Sequence, residues 1–455
     1  MHPWNNEQLP ILQLGADFYD PVSAAKFPKA ILRYWNSSLD LIINVEKNHF
    51  AQFNPLKNNL SEPLALRYHG HQFQHYNPDI GDGRGFLFAQ IKSNNQYYDL
   101  GTKGSGQTPY SRSGDGRLTL KGALRESLAT EMLESLGVNT SKTLCFFETG
   151  ENLIRNDEPS PTRSAVLTRY TLGHIRIGTF QRLAYFKQIE NIKKLTSYCM
   201  YFYYSEPKAE LELQNETLMA SKFFQQVVDR NARLAAQIMM AGFVHGVLNT
   251  DNINISGELF DYGPYRFMPV YDPKFTAAYF DQQGLYCFGR QPASFLWALQ
   301  QLALSLKMAY PNLATQPILE SFSDLFNNYV QIYFFKRLNL TRFSSKTKNA
   351  DLLSKFFTLL ETNKLNFEET FFNFNSKQVL ESPALIEKYE SIDKNILKLL
   401  SQFEIADETL LNHNSAANEP VTLLIDEIES IWKPIAENDD WSLYVSKLQS
   451  IRKIR

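Results

Sequence analysis

HGVLNTDNINISGELFDYG, residues 245–263, is the stretch on which the reading of this chain turns. Three of its side chains carry hard oxygen atoms: Asp251, Asn252 and Asp261. Between them, NINI and LFDY read as two short β runs about a Ser-Gly-Glu turn. A hairpin there folds the chain back so that Asn252 and Asp261 face one point, which suits a divalent cation beside a phosphate. The alternative is an Asx-turn Asn and a buried capping Asp, since both residue types favour turns. The flanking His245-Gly246 and Tyr262-Gly263 favour the metal.

The order of these groups is that of a kinase catalytic loop. Small-molecule kinases carry His-Gly-Asp-Leu, an Asn four residues on, a short hairpin, then Asp-Phe-Gly. Here His245, Gly246, Leu248 and Asn252 fall in step, and Asp261-Tyr262-Gly263 stands for Asp-Phe-Gly. Val247 occupies the place of the catalytic Asp and has no titratable group. Asp251 has instead appeared beside the Asn. A carboxylate there could take the proton of an attacking hydroxyl, or it could stabilise a tight loop through its own backbone amides. Spacing leaves both open.

Bulk properties narrow the class. The chain has 455 residues, 44% of them apolar, enough for a sizeable core in two or three domains or one two-lobed enzyme domain. Lys and Arg number 46 against 48 Asp and Glu, so a broad basic surface for nucleic acid or membrane is not expected. Cys145, Cys199 and Cys287 form no C-x-x-C pair, which suits reduced thiols in a cytosolic protein. No signal peptide or membrane-spanning run is evident, so a cytoplasmic protein is expected.

Along the chain, KAILRYWNSSLDLI (29–42) reads as a helix. FLFAQI and QYYDLGT read as a hairpin about Ser93-Asn94-Asn95, and TLCFFETG and SAVLTRYT as further strands joined by NDEPSPTR. Between those pairs, LKGALRESLATEMLESLGV places Leu124, Leu128, Met132 and Leu136 on one helical stripe, stopped by Gly137. After Phe180 the texture turns helical, as in FFQQVVDRNARLAAQIMMAGF and FLWALQQLALSLKMA. DETLLNHNSAANEP (407–420) reads as a linker before a last pair of helices. The expected fold is α+β and protein-kinase-like. Residues 1–63 form an extension, 64–180 a small β-rich lobe with one key helix, and 181–455 a large helical lobe.

Two glycine loops precede or follow strands in the small lobe. NPDIGDGRGF holds Gly81, Gly83, Arg84 and Gly85, and TKGSGQTPYSRSGDGR holds Lys103, Gly104, Gly106, Gly114, Asp115, Gly116 and Arg117. Glycine lets backbone amides approach phosphate closely. Hairpin turns would explain one such loop; two interleaved with Arg and Lys favour an anion site. Neither matches a P-loop. Lys103 after a strand and Glu126 on the next helix reproduce the kinase ion pair that positions a phosphate-binding lysine. Arg169 and Arg176, in TRYTLGHIRIG, carry little weight alone. HGHQFQH (69–75) lacks a pattern completing a zinc set and reads as packing around the glycine loop.

Taken together, GHQF, GDGRG, TKGSGQTPYSRSGDGR, LRESLATEMLESLGV, AVLTRYTLGHIRIGTFQ, GVLNTDNINI, DYGP, YDPKF and LNFEETFF resemble the SelO (YdiU) family, kinase-fold protein adenylyltransferases. The likeness runs from near FYDPV to about residue 375. It implies AMP transfer from ATP to Ser, Thr or Tyr hydroxyls of proteins, the enzyme itself included. By this likeness Asp251 is the base, and Asn252 and Asp261 hold magnesium, or manganese in its place. Gly81, Gly83, Arg84, Lys103, Asp115, Gly116, Arg169, Arg176 and Asp261 would contact ATP, with Glu126 supporting Lys103. Family members bind ATP inverted relative to kinases, so the displaced Asp251 would serve a nucleotide turned end for end. A γ-phosphoryl-transferring kinase and a silent nucleotide-binding scaffold are the rival expectations. Two departures stand out: YVSKLQSIRKIR lacks the Cys or selenocysteine common in the family's tail, and Ala298 follows Trp297 where Asn is usual.

Overall fold

The structure, a computed structural model, describes every residue except 1–3, 6, 44–46, 48–49, 51–52, 54, 157, 205–214, 411–418 and 455. Its first part is built on one sheet. Strands β1 (Tyr19–Pro21), β2 (Ile31–Trp35), β3 (Leu64–Leu66), β6 (Leu87–Ser93), β7 (Gln96–Lys103), β9 (Lys142–Leu153) and β10 (Thr162–Thr171) run in the order β1-β3-β6-β7-β10-β9-β2. A short strand, β8 (Leu118–Thr119), pairs with β10, and β4 (Gly70–Gln72) and β5 (His75–Asn77) form a separate hairpin. All pairings are antiparallel. The β6–β7 turn falls where expected, with Asn94 and Asn95 both at positive φ, which Asn tolerates.

Residues 29–42 depart from the expected helix. Ile31 to Trp35 form edge strand β2, with Leu32 opposite Phe147 and Tyr34 opposite Phe146. Only Ser37–Leu39 are helical, a single 3-10 turn capped by Asn36. Aromatic and β-branched side chains gain more from cross-strand pairing with β9 than from a helix that has no face to bury.

Helix α2 (Leu120–Ser135) follows β8 and is capped by the Thr119 hydroxyl, which accepts from Gly122 N at 3.1 Å. Of the predicted stripe, Leu124, Leu128 and Met132 are fully buried against β9 and β10, and Leu136, at the C-cap, is partly buried. The opposite side is covered too. Helices α12 (Ile425–Asn438) and α13 (Ser442–Arg452) return from the end of the chain to this helix. Tyr444 Oη lies 2.8 Å from Ser127 Oγ, and Arg452 Nη2 donates to Glu131 Oε1 at 2.7 Å.

The second part is helical: α3 (Ile177–Tyr185), α4 (Ile189–Phe202), α5 (Glu216–Met240), α6 (Gln291–Ala309), α7 (Thr315–Arg337), α8 (Lys346–Asn363) and α9 (Phe367–Phe374) are its main members. Phe334, Phe356, Phe371 and Phe374 form a tight aromatic centre there. The linker expected at 407–420 falls largely outside the described residues. No described helix is long and apolar enough to cross a membrane.

The stretch 253–262 also departs from expectation. NINI and LFDY do not pair with each other. Asn254 bridges antiparallel to Arg176, and Leu259 bridges parallel to Thr140. Backbone bonds from Ile177 N to Ile253 O (3.0 Å) and Ser141 N to Leu259 O (2.9 Å) complete these joints. One half of the expected hairpin is thus claimed by the start of α3 and the other by the loop between α2 and β9, and the strands that do pair here, β11 (Phe243–Val244) and β12 (Arg266–Phe267), lie outside it.

Candidate active site

The cations and carboxylates meet at the joint between the two parts. Lys103 ends β7, and its Nζ lies 2.6 Å from Glu126 Oε2 on α2 and 2.7 Å from Asp261 Oδ1. Arg169, two residues before the end of β10, approaches the same two groups: Nε is 2.9 Å from Glu126 Oε1, and Nη2 is 3.3 Å from Asp261 Oδ1. Arg176 stands at the start of α3. It donates to Asp82 Oδ1 at 3.1 Å and lies over the Tyr68 ring at 4.1 Å and the Phe260 ring at 4.9 Å. All three cations are at least 94% buried, with exposures of 5, 6 and 5% for Lys103, Arg169 and Arg176. Glu126, Asp261 and Asp82 compensate these three cations, so charge is concentrated in a buried place without being left unpaired.

Asp261 adopts φ +58, a left-handed conformation uncommon outside glycine. It turns the carboxylate into the cation group. Burial works against its ionisation, but Lys103, then Arg169, Arg176 and Arg84, hold the carboxyl well below the usual carboxylate range. Asp251 is its opposite. Burial pushes its carboxyl up to about 6; Arg176 opposes this, and the nearby Asp261 charge adds to it. Its Oδ1 is buried without a hydrogen-bond partner.

His245 sets the loop. It is fully buried and kept neutral by burial. Its Nε2 donates to Phe260 O at 3.2 Å, so Nδ1 accepts from Val247 N at 3.3 Å. One imidazole therefore fixes the residue that replaces the usual Asp and the residue before Asp261. Asn252 Nδ2 donates to Val247 O at 2.9 Å, which leaves its amide oxygen pointing away as a free acceptor.

A cation fits these residues. The Asn252 amide oxygen, left without a donor, and the Asp261 carboxylate, held ionised by its cations, are hard oxygen acceptors of the kind such a cation takes. Among the described residues no cluster of three or more His, Cys, Asp or Glu could hold a metal by itself. A cation here would complete its shell with phosphate and water oxygens, the habit of magnesium.

The glycine loops line the outer side. Gly81 lies against Tyr110, whose ring would be 2.5 Å from a Cβ at that position, and Gly83 O accepts from the Ser111 hydroxyl. Gly116 has φ +70 and would drive a Cβ to within 2.3 Å of Gly106, so the loop needs glycine there. Arg84 is exposed. Asp115 does not join the buried cations: it pairs with Arg155 at 2.8 and 3.1 Å and lines an open cavity of about 550 Å³ with Ser23, Gln107, Arg117 and Glu151. The structure thus unites Lys103, Glu126, Arg169, Arg176 and Asp261, sets Asp251 within the field of Arg176 and Asp261 with Asn252 next to it in the chain, and leaves Asp115 on an open cavity that none of the buried cations lines.

Sequence reasoning missed three contributors. Asp82, between Gly81 and Gly83, anchors Arg176. Tyr68 and Phe260 cradle the same guanidinium, and no local signal marks them. The His69–His75 stretch forms the β4–β5 hairpin and rests on Asn249 and Thr250 through bonds from Phe73 N (3.0 Å) and His71 N (2.7 Å), on the loop that carries Asp251.

Comparison with known proteins shows the family. The family model described as protein adenylyltransferase SelO matches residues 6–452. A protein nucleotidyltransferase YdiU of Synechocystis sp. is 42% identical over 96% of both chains. One from Trichodesmium erythraeum is 40% identical over 98% of both, and one from Clostridium botulinum is 34% identical over 80% of this chain and 71% of its own.

Proposed function

Because the chain belongs to the SelO family of protein adenylyltransferases and is a nucleotidyltransferase, we propose that it moves AMP from ATP onto Ser, Thr or Tyr hydroxyls of proteins, itself included. In this reading the sheet-rich and helical parts act as the two lobes of a kinase-like fold. ATP lies between them with its γ-phosphate inward.

One observation carries the orientation: the buried positive charge of Lys103, Arg169 and Arg176 lies together, while the roomy chamber lies apart at Asp115. A triphosphate tail needs the first, and a nucleoside fits the second. With the tail inward, the α-phosphorus is left beside Asp251. The acceptor oxygen then attacks the α-phosphorus as its proton passes to Asp251 Oδ1. The bond from the α-phosphorus to the bridging oxygen breaks, and pyrophosphate leaves against the cations. Fixed charge of this kind is the dominant source of rate in such transfers.

Asp251 is suited to the proton. Its carboxyl, raised to about 6, is a stronger base than an ordinary Asp and is still ionised at neutral pH. Glu126 holds Lys103 toward the phosphates. Magnesium or manganese, held by Asn252 and Asp261, would neutralise triphosphate charge when bound.

ATP labelled separately at the α and γ positions tests this. Protein-bound label from the α position, lost in Asp251→Ala, is the expected result. Label retained only from the γ position would replace the proposal with phosphoryl transfer.

A further inference from the structure

The turn Thr108-Pro109-Tyr110-Ser111 lies against the first glycine loop. Ser111 N donates to Thr108 O at 3.1 Å, closing a β-turn whose backbone Pro109 presets. The Tyr110 ring leaves no space for a side chain on Gly81, and its carbonyl oxygen would be 3.0 Å from a Cβ on Gly83. Both glycines therefore owe their bare backbone to the close approach of this turn. Tyr110 Oη donates to Asp20 Oδ2, which ties the turn to β1.

Two hydroxyls join the turn to the loop, and chemistry fixes the direction of each bond. Thr108 Oγ1 accepts from Tyr110 N at 3.1 Å and donates its one proton to Asp82 O. Ser111 Oγ accepts from Thr108 N at 2.8 Å and donates to Gly83 O. The next carbonyl, Arg84 O, accepts from Gly104 N at 2.6 Å, one residue past Lys103. In a planar trans peptide the N–H points opposite to the C=O. With the carbonyls of Asp82 and Gly83 drawn to one turn, the N–H groups of Gly83 and Arg84 both point away from it. Among the described residues neither N–H has an acceptor, and neither residue is buried. The same loop touches the buried cations, since Asp82 Oδ1 accepts from Arg176. Successive amides that face one way are an anion-binding arrangement.

We infer that Thr108 and Ser111 are positioning residues for the nucleotide's phosphates: their hydroxyls pin the Asp82 and Gly83 carbonyls and so aim the Gly83 and Arg84 amides at a phosphate oxygen. This rests on the reading of ATP as co-substrate and holds whichever phosphorus reacts. Neither hydroxyl touches the ligand, and no proton moves. With a hydroxyl removed, the peptide planes at 82–84 are free to turn and the amides lose their aim.

Calorimetry on the whole chain with magnesium tests it, with three probes: a non-hydrolysable ATP analogue, inorganic tripolyphosphate and adenosine. Thr108→Val and Ser111→Ala should each raise Kd for the analogue and for tripolyphosphate about 3- to 10-fold, and the double variant more. Kd for adenosine, which has no phosphate, should stay within about twofold. Thr108→Ser keeps the hydroxyl and should bind all three as wild type does. A merely structural turn would loosen every probe together, so a matched loss for adenosine overturns the inference. So does unchanged tripolyphosphate binding in the double variant, or a Thr108→Ser protein as weak as Thr108→Val. Should the double variant not fold, the single variants decide by the same comparison. A wild type that binds neither the analogue nor tripolyphosphate overturns the nucleotide site and this inference with it. Binding by wild type without transfer of α-label overturns the proposed activity alone.

Discussion

Lys103 Nζ stands between two carboxylates, 2.6 Å from Glu126 and 2.7 Å from Asp261, and so links helix α2 to the loop that follows Asn252. Glu126 is almost wholly buried, and its remaining cation is Arg169. Lys103→Met should therefore cost about 2 to 4 kcal/mol of stability, since a buried carboxylate loses half its compensation. The double variant with Glu126→Gln should recover much of that loss. Urea midpoints of the single and double variants check this; nucleotide affinity should stay weak in both.

Asp251 makes a prediction of opposite sign. Its carboxyl is raised in the folded protein to about 6, so the folded state binds the proton more tightly than the unfolded chain. The protein is favoured below the unfolded value and loses that stability as pH rises through about 6. Asp251→Asn, which stays neutral, should match wild type near pH 4 and exceed it above pH 6 by no more than about 3 kcal/mol. Thermal melts across pH in metal-free buffer give the curve. The same variant should lose about 10²–10⁴-fold in transfer.

Asp261 should behave in the ordinary way for a paired acid. Held well below the usual carboxylate range by its cations, it contributes stability above the unfolded value that is lost as pH falls. Asp261→Asn should flatten the acid side of the stability profile and weaken ATP binding in the presence of magnesium.

Arg176 bears on both fold and turnover. Its removal takes a cation from the proposed leaving-group site and leaves buried Asp82 supported only by backbone, including Leu66 N at 3.0 Å. Arg176→Ala should slow transfer by about 10³–10⁵ and lower stability by about 2 kcal/mol. Steady-state rates and denaturation midpoints on one preparation separate the two effects.

Much of this site was legible because its members lie in short, ordered runs. Lys103 at a strand end and Glu126 on the following helix announce their contact by order alone. Other parts were hidden because distant pairing decides them. Ile31–Trp35 became a strand through β9, more than a hundred residues away in sequence. The hairpin at 70–77 takes its meaning from Thr250, 179 positions on. NINI and LFDY look like partners, but Arg176 and Thr140 claim them first. Periodicity reports what a segment can bury, not which neighbour arrives.

The inward triphosphate is the claim on which the transfer depends. A crystal structure with a non-hydrolysable ATP analogue and magnesium measures it directly. The account predicts the terminal phosphate among Lys103, Arg169 and Arg176, with the α-phosphorus the one nearest Asp251. A terminal phosphate beside Asp251, with the nucleoside toward Arg169, would contradict it.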